Sequence, residues 1–150
     1  MTPYDMIKTH LDAAVPFATH VGVKLLEIAD GTARAELDQR PETSNHIATQ
    51  HAGAMFTLGE AASGAAVAGA LAPVILQMRP VAATAQIGFL KIAKGLLTAE
   101  ARTSRPGATL MAEIETTGKT AFDVTVEICD AAGERVAEMS VNWYVSPLRS

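Results

Sequence analysis

Glu60 is the only charged residue between Ala52 and Met78, in a segment otherwise made of apolar and small polar residues. If this segment is helical, Glu60 shares its face with small or hydroxyl-bearing residues: Gly53, Thr57, Ser63 and Gly64. Such a face is usually covered, and covering a carboxylate costs free energy unless it is hydrogen-bonded. A covered carboxylate is able to act as a general base or a nucleophile. Glu60 is therefore either a functional-site residue or a partly exposed acid at the edge of an interface.

The segment around Glu60 has the pattern of one long helix, from about Gly53 to Leu71, which Pro73 ends. One face carries apolar and small residues at helical spacing: Met55, Leu58, Ala62, Ala65, Ala66 and Gly69. The small residues predict that a sheet approaches this face closely, and Glu60 points away from it. Because the helix is rich in Ala and Gly and carries an acid, we expect a buried helix of a globular domain and not a membrane span.

The rest of the chain predicts a sheet that packs on this helix. Residues 3–20 have the amphipathic pattern of one or two short helices, and Asp30-Gly31 is the tight turn of a hairpin. Alternation of apolar and polar residues predicts strands at 23–28, 33–37, 83–89, 97–101, 122–128 and 139–145. Residues 108–117 are ambiguous between strand and helix, with a short helix favoured. The order of elements indicates an α+β fold with an antiparallel sheet.

Composition and charge limit the classes of protein. The 150 residues fit a single domain, 1–150, and 49% hydrophobic with 19% charged residues is typical of a globular protein. A net charge of −4 argues against a nucleic-acid partner, and the charged residues within the first 20 positions argue against a signal peptide. The one cysteine, Cys129, fits a reducing cytoplasm, and its strand-like context predicts a buried structural thiol. His46 and His51 lack further ligands of a metal site, so no metal or cofactor is expected.

The stretch from Asn45 to Gly64, NHIATQHAGAMFTLGEAASG, resembles the hotdog-fold acyl-CoA thioesterases of the phenylacetyl-CoA (PaaI) type. That family places an Asn six positions before a His-Gly-Gly and an acid nine positions after the His, as Asn45, His51 and Glu60 are placed here. The resemblance covers roughly residues 20–146, and its C-terminal half is similar to a little-characterised branch of the superfamily. It implies a hotdog fold, in which a curved antiparallel sheet wraps around one long helix.

Two positions depart from the family pattern. The first Gly of the His-Gly-Gly is Ala52 here, although an Ala supplies the same backbone N–H. A hydroxyl that relatives often carry one turn after the acid would fall at Gly64, with Ser63 adjacent as a substitute.

The resemblance implies hydrolysis of an acyl-CoA thioester to a free acid and CoA, with Glu60 as base or nucleophile. The Ala52 amide would stabilise the oxyanion, since the helix N-terminus offers unpaired N–H groups. Asn45 would position the attacking water or the acyl carbonyl, and His51 would either contact the thioester or stabilise the loop. Substrate-binding positions would be Gly53, Thr57 and Ser63.

Glu60 and the Ala52 amide are eight residues apart, which is about 12 Å along a helix. A reacting carbonyl carbon must lie within roughly 3–4 Å of both groups, so one copy of the helix cannot supply both. We therefore expect an obligate homodimer in which antiparallel helices build two composite sites, with pairing of dimers into a homotetramer left open.

Two other functions stay open: a non-catalytic acyl-CoA-binding hotdog dimer, and a hydratase or dehydratase in which His51 moves a proton. The acyl carrier is either CoA or acyl carrier protein. Five basic residues are candidates for the CoA phosphates, and none is assigned: Lys91, Lys94, Arg102, Arg105 and Lys119.

Overall fold

A computed structural model describes residues 1–148. The helices are α1 (Pro3–Ala14), α2 (Pro16–Val21), α3 (Ala52–Ala70) and α4 (Gly107–Thr117). The strands are β1 (Val23–Ala29), β2 (Thr32–Leu37), β3 (Met78–Phe89), β4 (Leu97–Thr103), β5 (Thr120–Cys129) and β6 (Arg135–Pro147). Short 3₁₀ turns lie at Pro41–Thr43 and Ile75–Gln77.

The six strands form one antiparallel sheet in the order β1-β2-β4-β5-β6-β3. Every strand of this sheet contacts α3, so the sheet curves around the helix. The inner side chains alternate with exposed ones, most regularly along β5, where every second residue is buried. This is the α+β hotdog fold that the sequence predicted. No helix in the described part of the chain combines the length and hydropathy of a membrane span.

The long helix α3 is the centre of the core. All six residues of its predicted core face are buried, and four of them are small: Ala62, Ala65, Ala66 and Gly69. At the C-terminal end of α3, Gly69 lies against the backbone carbonyl of Ala29, and Gly107 of α4 lies against that of Ala70. The close fit of α3 to the sheet and to α4 therefore depends on residues that lack a β-carbon.

The N-terminal helices α1 and α2 cover the outer side of α3. The side chain of Thr2 caps α1 through the amide of Asp5, and Asp5 in turn accepts from the amide of Thr2. Ile7 and Leu11 pack partly buried against the core, yet no residue of either helix is fully buried. These helices thus form a cover that is held by few apolar contacts.

Three details sharpen or correct the sequence interpretation. The ambiguous segment is helix α4, whose C-cap Gly118 has a φ of 81°. The strand predicted at 83–89 begins earlier, at Met78. The sequence did not show its first residues because most residues of this edge strand are exposed, so that apolar and polar positions do not alternate clearly. Cys129 ends β5 and is half-buried instead of fully buried, and its partial burial raises the pKa of the thiol.

The contact at Gly69 makes a testable prediction. An Ala in a helix normally stabilises it by about 0.5–1 kcal/mol relative to Gly. A β-carbon on Gly69 would instead overlap the Ala29 carbonyl oxygen. We expect Gly69→Ala to lower the free energy of unfolding by roughly 1–3 kcal/mol, measured by urea denaturation at a fixed protein concentration.

Gly88→Ala is the matched control, because the nearest atom to its new β-carbon would be 3.8 Å away. It should change stability little. Equal or greater stability of Gly69→Ala would show that the helix and the sheet are not in the described contact.

Candidate active site

Glu60 lies in the wall of a cavity of about 610 Å³ between α3 and the N-terminal helices. Its side chain is half-buried. Burial raises the pKa of the carboxyl, with no hydrogen bond or neighbouring charge among the described residues to offset it. Glu60 therefore faces an apolar cavity and has no partner within residues 1–148, while its role as a functional-site residue stays a prediction.

The two hydroxyl-bearing residues that share the face of Glu60, Thr57 and Ser63, both form hydrogen bonds within the chain. The Thr57 hydroxyl donates to the Gly53 carbonyl at 2.9 Å. The Ser63 hydroxyl is fully buried; it donates to the Glu60 carbonyl at 2.7 Å and accepts from the Trp143 indole N–H at 3.0 Å. Both hydroxyls are therefore engaged inside the chain, and their contact with substrate stays a prediction.

Trp143 is a site residue that the sequence reasoning did not identify. Its ring packs against Gly64, where an added β-carbon would lie 3.3 Å from the ring, and it lines the same cavity as Glu60. The indole thus adds to the apolar lining of the cavity that Glu60 faces. In the sequence, Trp143 looked like one more core residue of β6, and nothing there distinguished it from its neighbours.

The N-terminus of α3 is capped by His51. Its Nδ1 accepts a hydrogen bond from the Gly53 amide at 2.8 Å, which requires the lone pair of an imidazole unprotonated at Nδ1. The loop-stabilising alternative for His51 is thus the one that the geometry favours. The Gly53 N–H is occupied by this bond, whereas the Ala52 N–H makes no hydrogen bond to any residue in 1–148. The Ala52 amide is an unpaired donor at the positive end of the helix dipole.

Asn45 holds together the loop that precedes α3. Its Oδ1 accepts from the amides of Ile47, at 3.1 Å, and Thr49, at 3.0 Å. Its Nδ2 donates to the Thr49 hydroxyl at 2.7 Å. Within this loop Ala48 has a φ of 60°, a left-handed conformation that is unusual for Ala. Asn45 thus positions the backbone that leads to Ala52, and a direct role toward water or substrate stays a prediction.

Gln50 anchors the same loop, and the sequence analysis did not identify it either. Its side chain is buried; Nε2 donates to the Gly95 carbonyl at 3.0 Å, and Oε1 has no partner among the described residues. From the other side, the Gln39 carboxamide accepts from the Gly95 amide at 2.8 Å. Two amide side chains therefore tie the loop before α3 to the one after β3. A lone Gln in a polar loop gives no signal of such a contact in the sequence.

Within one chain, the predicted site residues fall into two separate places. Glu60 lines the large cavity beneath α1, whereas Asn45 and Ala52 line a smaller cavity of about 360 Å³ at the other end of α3. No residue between 1 and 148 lines both cavities. Lys91, a candidate for the CoA phosphates, borders the Ala52 cavity and pairs with Glu134 at 2.8 Å. Arg105, another candidate, lies outside both cavities and forms an ion pair with Glu113 at 2.6 Å.

Comparison with known proteins identifies a family and a fold. A family described as a domain of unknown function (DUF4442) matches residues 5–145. No curated protein matches the chain. A Pseudomonas aeruginosa protein of unknown function, described as a probable thioesterase, is 23% identical with a TM-score of 0.84 over 98% of this chain and 97% of that one.

Two further solved structures have the same fold. A thioesterase family protein from Silicibacter pomeroyi is 17% identical, with a TM-score of 0.78 over 97% of this chain and 99% of that one. A hypothetical thioesterase protein from Streptococcus pneumoniae, solved with coenzyme A, is 21% identical, with a TM-score of 0.68 over 90% of this chain and 96% of that one. At these identities the likeness establishes the hotdog fold.

The left-handed Ala48 predicts a stabilising substitution. An Ala in this conformation costs roughly 1–2 kcal/mol, partly offset by the greater freedom that a Gly has in the unfolded chain. We expect Ala48→Gly to raise the free energy of unfolding by about 0.5–1 kcal/mol in urea denaturation. Ala112→Gly, at an exposed position of α4, is the control and should lower it by about 1 kcal/mol. Destabilisation by Ala48→Gly would contradict the described loop.

The environment of Glu60 predicts a pH-dependent gain in stability on substitution. Because the folded pKa of Glu60 is raised, its stabilising contribution is fully present below the unfolded pKa and is lost as the pH rises through the folded pKa. At pH 7 we therefore expect Glu60→Gln to be more stable than wild type by roughly 0.5–1 kcal/mol, a small gain because solvent still reaches part of the carboxyl, and the difference to vanish near pH 4.

Thermal denaturation across this pH range measures the effect. Glu115→Gln is the matched control, because Glu115 is exposed on α4 and its substitution should stay within about 0.5 kcal/mol of wild type at every pH. A Glu60→Gln variant that is less stable than wild type at pH 7 would mean that the carboxylate has a stabilising partner.

Proposed function

We propose that this chain, which belongs to the DUF4442 family, hydrolyses acyl-CoA thioesters to a free acid and CoA. The observation that carries the proposal is Glu60: a half-buried carboxyl without a partner among residues 1–148, in the wall of an apolar cavity. Such an arrangement destabilises the charged form and leaves the carboxylate lone pairs available for reaction. The hotdog fold shared with a hypothetical thioesterase protein solved with coenzyme A supports the choice of substrate.

Two chemical routes are compatible with Glu60. In one, a carboxylate oxygen attacks the thioester carbonyl carbon, the C–S bond breaks, and water then opens the resulting anhydride. In the other, Glu60 removes a proton from a water molecule that attacks the same carbon directly. Either route forms a C–O bond, releases CoA as a thiolate that takes up a proton, and passes through a tetrahedral oxyanion. Both require Glu60 to be ionised, so its raised pKa sets the acid limb of the rate profile.

The unpaired Ala52 amide is suited to the oxyanion, because it is a fixed donor at the positive end of a helix. Within one chain it opens onto a different cavity from Glu60. We therefore propose that the site is composite, with Glu60 from one protomer and the Ala52 amide from its partner. His51 and Asn45 support this arrangement by fixing the start of α3 and the loop before it.

The edge of the sheet supports self-association. β3 is the last strand of the sheet and pairs with β6 alone, so one edge of its 12 residues is unpaired within the described chain. Val81 and Phe89 on this strand are large apolar residues that stand exposed. A long edge strand of this kind is usually paired or covered in a stable protein. A second copy of the chain satisfies this need and brings a second α3 near the first.

Release of the CoA thiol from acyl-CoA substrates tests the activity. We expect Glu60→Gln to lower kcat by at least about 100-fold while keeping the fold, since removal of a catalytic base or nucleophile commonly costs that much. Ala52→Pro tests the oxyanion donor. It deletes the free N–H at the first helical position, where Pro is tolerated, and His51 before it already has the extended conformation that a following Pro requires. We expect a loss of about 100- to 1,000-fold.

A heterodimer of the two variants tests the composite site. Co-expressed with different affinity tags, the Glu60→Gln and Ala52→Pro chains should form a heterodimer with one intact site and about half of the wild-type activity per dimer. If each chain supplied both groups, both sites of this heterodimer would be inactive. A wild type that releases no thiol from any acyl-CoA, and that binds acyl-CoA as well as its Glu60→Gln variant does, would instead identify a binding module.

A further inference from the structure

We infer that the cavity between α3 and the N-terminal helices binds the acyl chain, and that the substrates are unbranched medium-chain acyl thioesters. This inference rests on the proposed function and names its substrate class. The cavity begins at Glu60, where the carbonyl reacts, and its volume of about 610 Å³ lies in the range of roughly 300–1,000 Å³ typical of small-molecule clefts.

The floor of the cavity is a straight strip along α3. Beyond Glu60 it is formed by small residues on one helix face: Ala61, Gly64, Ala65 and Ala68, followed by Ala72. The absence of longer side chains along this strip leaves room for a chain that lies parallel to the helix axis. A compact aryl group would fill only the part next to Glu60.

The roof is apolar and loosely attached. Met6, Ile7 and Leu11 of α1 face the cavity together with Leu76 and Met78 after α3. No residue of α1 is fully buried, so its apolar face lacks a complete packing partner in the chain itself. A hydrocarbon chain beneath α1 would supply one. The polar lining residues other than Glu60 are His10, Asp12 and Thr19, all of which are exposed at the rim.

Ala68 is the last residue within α3 that lines the cavity, and its distance from Glu60 sets the expected chain length. Ala68 is eight residues beyond Glu60, about 12 Å along the helix. An extended hydrocarbon chain advances about 1.3 Å per bond, so about nine carbons reach Ala68. Ala65 is five residues beyond Glu60, about 7.5 Å, which corresponds to about six carbons. We therefore expect the activity to rise with chain length up to about nine or ten carbons and then to level off.

A series of saturated acyl-CoA substrates from two to sixteen carbons tests this expectation. For wild type, kcat/KM should rise by up to about fourfold per added methylene until the limit is reached. Ala68→Leu blocks the strip and should lower the decanoyl-to-butyryl ratio of kcat/KM at least tenfold while butyryl-CoA is still hydrolysed. Ala72→Leu, at a half-buried position that is easier to enlarge, should affect only chains longer than about ten carbons.

Ala112→Leu, on the exposed side of α4 and outside the cavity, is the matched control and should keep the wild-type profile. A wild-type profile without dependence on chain length, a preference for aryl or acetyl groups, or an unchanged profile in both cavity variants would overturn the inference and leave the proposed function standing.

Binding to Glu60→Gln separates the two proposals, because this variant should not turn over. By titration calorimetry, decanoyl-CoA should bind at least tenfold more tightly than butyryl-CoA, and Ala68→Leu added to Glu60→Gln should remove the difference. If wild type hydrolyses no acyl-CoA but decanoyl-CoA still binds preferentially, the proposed function fails and the cavity assignment holds. Equal binding of the two ligands would overturn the cavity assignment whatever the hydrolytic activity.

Discussion

The rise of an α-helix, about 1.5 Å per residue, is the constraint that organises this molecule. Glu60 and the Ala52 amide stand eight residues apart on helix α3, which every strand of the sheet contacts. The two groups consequently open onto different cavities of one chain. One thioester carbonyl must contact both groups during the reaction, and a single chain does not place them together. The proposed composite site therefore takes Glu60 from one chain and the Ala52 amide from another.

Small residues on α3 serve two purposes on its two sides. Toward the sheet, Gly69 lies so close to the Ala29 backbone carbonyl that a β-carbon would not fit, and a β-carbon on Gly59 would have to displace the Met139 sulfur. Toward α1, Ala61, Gly64 and Ala68 line a cavity that they do not fill, with Ala65 at the border between the two faces. The same composition that makes the helix look uniformly apolar in sequence thus gives a tight interface on one face and an open space on the other.

The periodicity of apolar residues and the spacing of turn residues made most of the fold predictable from the sequence. The extent of α3, the hairpin at Asp30-Gly31 and the alternation in β5 and β6 follow from local sequence, and Glu60 stood out because no other charge lies near it in the chain. The partners of the loop residues were not predictable, since the contacts of Gln50 join segments 45 residues apart. Ser63 was predicted to contact substrate because it is adjacent to Gly64, where relatives often carry a hydroxyl, but only the structure reveals its hydrogen bonds to the Glu60 carbonyl and Trp143.

A crystal structure with a non-hydrolysable acyl-CoA analogue tests the central claim most directly. The account predicts a dimer in which the carbonyl of the analogue lies within about 4 Å of the Glu60 carboxylate of one protomer and of the Ala52 amide of its partner. A monomer, or a carbonyl held by Glu60 and Ala52 of the same chain, would contradict it. So would a dimer in which Glu60 faces bulk water and the ligand binds elsewhere.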